Sequence, residues 1–253
     1  MRYNQPQHSA GADLPDITPR NLPQAAMIFA AGRGTRMAAL TDGQPKPMIK
    51  VAGQPLIDHA LALTAPVMPL RRVVNLNYLG GQIEAHLAGS DVLFSHETQA
   101  LETGGGLRHA LPLLGAGPVY TLNSDAVWSD NTALTQLAQH WNPAKMEALL
   151  LLVAPSRAIG HKGRGDFTID AAGRLARGPG YVYSGVQIID TSRLAAISTP
   201  VFSLNKIWDA MDAEKALFGV VYPGTWCDVG QPSSLPLAEA LMANAFMEHS
   251  NVS

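Results

Sequence analysis

The chain has very little cysteine: Cys227 stands alone in 253 residues. That excludes an internal disulfide and any zinc site built on several thiolates. Aromatic residues make up only 6% of the chain and charged residues only 15%. Neither charge sign dominates, since 18 Lys+Arg against 20 Asp+Glu leave −2 with His neutral. A general nucleic-acid binder needs a basic face, so this balance argues against one. No apolar stretch reaches the roughly 20 residues that cross a bilayer, so no membrane partner is expected. Met1 to Gln24 lacks the apolar segment of a secretory signal. The expected location is the cytoplasm. What the chain does have is apolar bulk, 47% of its residues. That suffices for a substantial core in one large α/β domain or two small ones.

Residues 1–23 carry Pro6, Pro15, Pro19 and Pro23 and no periodic apolar pattern, which reads as a flexible tail. Residues 24–253 read as a single domain. Its first half alternates short apolar runs with helical spacing. Strands are expected at 25–30, 72–76, 92–94 and 118–123, with helices at 56–63, 80–87 and 106–114. Alternation of this kind implies βαβ units and a mixed, mostly parallel sheet flanked by helices, an α/β Rossmann-like architecture. The second half is less regular. Strands are expected at 148–153 and 183–189, a hairpin at 167–175, and a strand pair at 218–222 and 225–230 turning at Pro223-Gly224. A terminal helix runs over 233–247, capped by Ser233 or Ser234.

Four segments carry chemistry. Gly32-Arg33-Gly34-Thr35-Arg36 follows the first buried strand. Glycines there let the backbone turn and offer N–H groups to anionic oxygens; the bland alternative is a tight turn. It is neither a Walker A loop nor GxGxxG, because Met37 holds the third glycine position. In Pro45-Lys46-Pro47, two prolines give one ammonium a rigid mount and no evident packing role. That suits a phosphate clamp, or equally a solvated lysine in a turn. Asp125 stands at the carboxyl end of a strand, where α/β sheets bind ligands, and can hold a hard cation or serve as a turn aspartate. Asp228, between apolar neighbours, is a second candidate carboxylate. Finally, Glu102-Thr103-Gly104-Gly105-Gly106 opens a helix with residues poor for helix stability. Either a flat ligand presses on this backbone or the loop is flexible.

Ala30-Ala31-Gly32-Arg33-Gly34-Thr35-Arg36-Met37 followed by Pro45-Lys46-Pro47-Met48 resembles the signature of the sugar-1-phosphate nucleotidylyltransferases. Asn123-Ser124-Asp125 and Trp226-Cys227-Asp228-Val229-Gly230 resemble that family's two later metal-site motifs. The resemblance spans about residues 25–245. The segments at 101–106 and 161–167, with the short length, most resemble the branch that uridylylates N-acetylmuramate-1-phosphate in cell-wall recycling. Three departures stand out. Ala39 replaces a usual proline, Ser124 replaces a usual glycine, and the Glu-Lys-Pro segment that grips simple hexoses is absent.

The resemblance implies a reaction of an NTP, UTP in that branch, with a sugar-1-phosphate, giving an NDP-sugar and pyrophosphate. It implies catalytic roles for Arg36, Lys46 and Asp125. The nucleotide would meet Ala30, Ala31, Gly32, Gly34, Thr35, Arg36, Lys46, Glu102, Gly104 and Gly105. The sugar would meet Asn123, Gly165, Lys162 and Arg164, and Asp125 with Asp228 would hold Mg²⁺. His161, Lys162 and Arg164 can receive a substrate carboxylate or form a solvated basic loop. Cys227, beside a carboxylate, reads as a packed, inert thiol. Two other functions stay open: a guanylyl- or thymidylyltransferase on mannose- or glucose-1-phosphate, and a non-catalytic sugar-nucleotide sensor. The sequence leaves monomer and homo-oligomer equally open.

Overall fold

A computed structural model describes residues 22–250. The expected tail over 1–23 therefore lies outside the described residues, except for Leu22 and Pro23. The first strand, β1 (Ala25–Phe29), leads into a glycine turn and two short 3-10 segments. A small ribbon follows, β2 (Lys50–Val51) and β3 (Gln54–Pro55), and then α1 (Leu56–Ala62). Next come β4 (Arg71–Leu76), α2 (Gly80–His86), β5 (Val92–His96), α3 (Glu102–Leu114) and β6 (Val119–Asn123). The second half holds β7 (Ala126–Trp128), α4 (Ala133–His140), β8 (Ala148–Val153), β9 (Ala158–Ile159), β10 (Phe167–Ile169) and β11 (Leu175–Arg177). It closes with β12 (Val182–Ile189), α5 (Asn205–Ala213), β13 (Leu217–Tyr222), β14 (Trp226–Asp228) and α6 (Leu235–Ser250). No described helix is long and apolar enough to cross a membrane.

Seven strands form the central sheet in the order β13-β8-β12-β6-β1-β4-β5. Only β12 runs antiparallel to its neighbours, so the mixed, mostly parallel sheet expected from the alternation is present. Strands buried on both faces need apolar residues throughout, and β8 is buried at every position. On one face Ile28, Val74 and Leu122 pack with α1, α2 and α4 residues such as Ile57, Ile83 and Leu137. On the other, Met27, Val73 and Leu150 pack with Leu107 of α3 and Ile207 of α5. A third cluster under α6 joins Ala238 and Leu241 to Met37, Val127 and Cys227.

The expected strand pair around Pro223-Gly224 does not form. β13 instead enters the central sheet beside β8, in parallel register from Leu217↔Ala148 to Tyr222↔Val153. At this edge position Leu217, Phe218 and Tyr222 of its apolar run are buried, more cover than a surface hairpin supplies. β14 departs to a separate three-stranded sheet, β7-β14-β9. The terminal helix begins later than expected, at Leu235, after a 3-10 turn over Pro232–Ser234.

The chain moves outward from β1 to β4 and β5, then crosses to the other side of β1 for β6. The strand order thus reverses between β1 and β6. A crevice opens at the carboxyl ends of strands at such a reversal, and ligands of α/β sheets bind there.

Candidate active site

A cavity of about 460 Å³ occupies that crevice. Its walls are the segments that follow the strands. Phe29 ends β1, with Ala30–Gly32 and Gly34–Arg36 after it; Asn75 lies in β4, Glu97 follows β5, and Asn123 ends β6 with Ser124 and Asp125 after it. Leu101–Thr103 and the Lys46-Pro47 step close it.

The glycine turn and the lysine are one unit. Gly34 has φ +62, and a Cβ on it would stand 2.7 Å from Lys46 Cβ. Only glycine meets both demands, a left-handed backbone and so close an approach. Pro45 is extended, and Lys46 starts a 3-10 turn whose second residue is Pro47. Lys46 is only 7% exposed, so it is neither a solvated lysine nor free of packing. Its Nζ donates to Asp125 Oδ2 at 2.8 Å. A buried ammonium needs such a partner.

Asp228 reaches the same place by strand pairing. β14 aligns Asp228 with Ala126 of β7, and the Val229 N–H donates to the Asp125 carbonyl at 2.9 Å. Burial pushes the Asp228 carboxyl upward, and the Asp125 charge pushes it further. Lys46, Arg36 and His161 oppose that rise. Two carboxylates that repel one another, close to a cavity with Arg36 and Lys46, fit a divalent cation bound together with phosphates. Among the described residues no cluster of three or more His, Cys, Asp or Glu could hold a metal. Asp125 and Asp228 could offer two carboxylates, and Mg²⁺ commonly binds through one or two of these plus substrate phosphates and water.

The glycine run at 104–106 behaves otherwise than a bare ligand platform. It lies inside α3, which starts at Glu102 rather than at 106. What presses on these glycines is the chain itself. A Cβ on Gly104 would stand 2.4 Å from the Phe202 ring, and one on Gly105 2.4 Å from the Pro200 carbonyl oxygen. The Gly104 and Gly105 N–H groups both donate to the Phe202 carbonyl, at 2.9 and 3.0 Å. Those first-turn amides, which a helix leaves without internal partners, are therefore already satisfied. Gly104 and Gly105 do not line the cavity, whereas Glu102, at φ +58, and Thr103 do.

Sequence reasoning missed Asn75 and Glu97, which are 3% and 6% exposed. Asn75 Oδ1 accepts the Ala30 N–H at 2.7 Å and its Nδ2 donates to Glu97 Oε1 at 2.6 Å. Glu97 Oε2 accepts the Leu101 N–H at 3.1 Å. The pair locks the cavity's back wall. Glu97 directly follows β5 as Asp125 follows the β6 end, and that position was the available signal. Ser124, in place of a glycine, turns its hydroxyl to the Phe29 carbonyl at 2.6 Å.

A second lobe of about 280 Å³ shares Phe29, Thr103 and Asn123 with the first. Its other walls include Asp166, Arg177, Tyr183, Asn205 and Trp208. Asn123 fits between the lobes because Gly185, at φ +85, has no side chain there; a Cβ would meet the Asn123 amide at 2.7 Å. Of the expected sugar contacts, Asn123 lines both lobes. Gly165 instead packs its backbone on Gly180, with a would-be Cβ 2.2 Å from the Gly180 oxygen. Lys162 and Arg164 are exposed and line neither lobe, and Lys162 donates to Gln231 Oε1 at 3.4 Å. Cys227 is fully buried. Burial first, and then Asp228, pushes its thiol up to about 12, as expected of an inert cysteine.

Residues 26–177 match the MobA-like NTP transferase domain. The chain belongs to that family. It is 36% identical over 241 residues to N-acetylmuramate alpha-1-phosphate uridylyltransferase of Caulobacter vibrioides, covering 88% of this chain and 98% of that one. The enzyme of the same name from Neisseria meningitidis is 36% identical over 228 residues, covering 85% and 97%. Among solved structures, the inositol-1-phosphate CTP transferase of T. maritima superposes with a TM-score of 0.70 at 16% identity, over 88% of this chain and 96% of that one. That last likeness concerns the fold alone. The order of motifs found in the sequence and the crevice at the strand reversal are both those of a nucleotidyltransferase.

Proposed function

We propose that this protein transfers a uridylyl group from UTP to N-acetylmuramate-1-phosphate and releases pyrophosphate. The observation that carries the reading is the Lys46–Asp125 pair at 2.8 Å beneath the glycine turn, with Asp228 beside it. Two relatives bearing that activity in their names, each 36% identical over at least 85% of the chain, support the choice of base and sugar.

The nucleophile is an oxygen of the sugar phosphate. Its second pKa is about 6, so no general base is needed at neutral pH. The obstacle is repulsion between two anions, and catalysis is positioning plus charge neutralisation. The Gly32–Thr35 backbone and Arg36 receive the triphosphate. Lys46 shifts from Asp125 onto the α-phosphate and the incoming sugar phosphate. The new bond joins that phosphate oxygen to the α-phosphorus; the bond to the bridging oxygen breaks, and pyrophosphate leaves with the electron pair. Asp125 and Asp228 would hold Mg²⁺, which supplies neutralisation of phosphoryl charge when bound. A UTP-consuming reaction draws on the cytoplasmic nucleotide pool, and we assign the protein to that compartment.

The test is pyrophosphate release with Mg²⁺, each NTP in turn and a panel of sugar-1-phosphates. UTP with N-acetylmuramate-1-phosphate should be the best pair. A preference for GTP or dTTP with mannose- or glucose-1-phosphate would overturn the assignment.

A further inference from the structure

Arg177 ends β11 and lines the smaller lobe. Its guanidinium is held on a platform. The guanidinium carbon lies 4.7 Å from the Phe167 ring centroid and 5.5 Å from that of Trp208. Trp208 is itself fixed, because its Nε1 donates to Gln187 Oε1 at 2.9 Å and Gln187 is fully buried. One edge of the fork is engaged: Nη2 donates to Asn205 Oδ1 at 2.7 Å and to Asp209 Oδ1 at 3.1 Å. Nε also points to Asp209 Oδ1, at 3.4 Å. Nη1 has no partner among the described residues. Beside it in the hairpin, where Phe167 pairs with Arg177, Asp166 Oδ2 accepts the Tyr183 N–H at 2.8 Å, which leaves Oδ1 as an acceptor.

A guanidinium with a fixed plane and unused donors is suited to a carboxylate, and an ammonium is not equivalent there. The lobe joins the phosphate end through Asn123 and Thr103. A sugar-1-phosphate with its phosphate near Asp125 would extend its ring into this space. We propose that Arg177 selects an acidic sugar by donating Nη1 to its carboxylate, while Asp166 accepts from an amide N–H or hydroxyl of the same ring. The inference rests on the sugar-1-phosphate reading and deepens it. It assigns recognition of the lactyl carboxylate to Arg177, which lines the smaller lobe, rather than to Lys162 and Arg164, which do not.

The test compares N-acetylmuramate-1-phosphate with N-acetylglucosamine-1-phosphate, which lacks only the lactyl group. The readout is the ratio of their kcat/KM values with UTP. Arg177→Gln should lower that ratio by about tenfold or more, the worth of one charge-assisted hydrogen bond. The effect should fall mainly in KM. Asp209→Asn removes a structural partner of Arg177 but no carboxylate donor, and should keep the ratio. If Arg177→Gln lowers both sugars equally, Arg177 is only structural and the inference is overturned. If the wild-type protein turns over neither sugar, the functional reading fails by itself. Calorimetry of the two sugar phosphates then decides the inference: a wild-type preference for the acidic one that Arg177→Gln abolishes supports it, and no preference overturns it.

Discussion

The phosphate end of the cavity is assembled from short runs of consecutive residues, Phe29 to Gly32 and Asn123 to Asp125 among them, each beginning at the last residue of a strand. The smaller lobe adds residues from Thr103, Asp166-Phe167, Arg177, Tyr183, Ser203-Leu204-Asn205 and Trp208, spread over a hundred positions. The first presents backbone and a few fixed charges, which suits phosphates common to every substrate of such a reaction. The second presents side chains, which suits the part of a substrate that differs. On the proposed function, chemistry and selection would be separated in space and in the way the chain encodes them.

Substitutions at the phosphate end should have the largest effects. Asp228→Asn should lower turnover by about a hundredfold or more, as loss of a charge-stabilising group does. Its stability should move the other way. The folded-state pKa of Asp228 is raised by burial and by Asp125, so the folded protein holds that proton more tightly than the unfolded chain does. This stabilisation is present below the unfolded pKa and is lost as pH rises through the folded one. At neutral pH the ionised group is a burden, and without divalent cations the variant should melt higher than wild type. The gap should narrow as pH falls toward the ordinary carboxylate range. A lower melting temperature for Asp228→Asn at neutral pH would contradict this electrostatic account.

Lys46→Met should also lower turnover by about a hundredfold, but with a loss of stability. It leaves Asp125 facing Asp228 without the ammonium now 2.8 Å away. Thermal melts of the two variants side by side test the contrast in sign. At the joint between the lobes, Gly104→Ala would drive a methyl into the Phe202 ring and should cost about 1–3 kcal/mol of stability. Chemical denaturation measures it, and an unchanged midpoint would mean that the 200–202 segment yields freely. The smallest effect concerns Cys227. With its thiol pushed up to about 12 and wholly buried, it should resist a thiol-specific reagent at pH 8 in the native state and react once the protein is denatured.

The contrast between the lobes also explains what could be read in the sequence. Gly34, Lys46 and Asp125 were legible because each stands in a run whose spacing from a buried strand places it. The first half of the sheet was legible for the same reason: its strands and helices alternate in simple order. β13 and β14 were not, because an apolar run followed by Pro-Gly fits a hairpin locally. Only the space beside β8 decides where β13 goes. Helices α4 and α5, absent from the sequence reading, are only eight and nine residues long, too short for a clear helical period. The glycines at 104–106 signalled a close approach correctly, but the neighbour was Phe202, almost a hundred residues on. Arg177 gave no signal at all, since its platform exists only when Phe167 and Trp208 meet.

The Phe202 carbonyl receives the first amides of α3, and the Leu204 N–H donates to Thr103 Oγ1 at 3.0 Å. One short peptide therefore caps the helix whose leading residues, Glu102 and Thr103, border the larger lobe, and continues as Ser203-Leu204-Asn205 in the wall of the smaller one. On the proposed function, nucleotide preference and acceptor preference should in consequence not be modular traits. A graft that retunes one pocket by replacing residues 200–205 or 101–106 carries strain into its neighbour. Altered donor–acceptor combinations in this scaffold should then emerge from paired changes on both segments, and single-segment transplants should yield enzymes impaired toward both substrates.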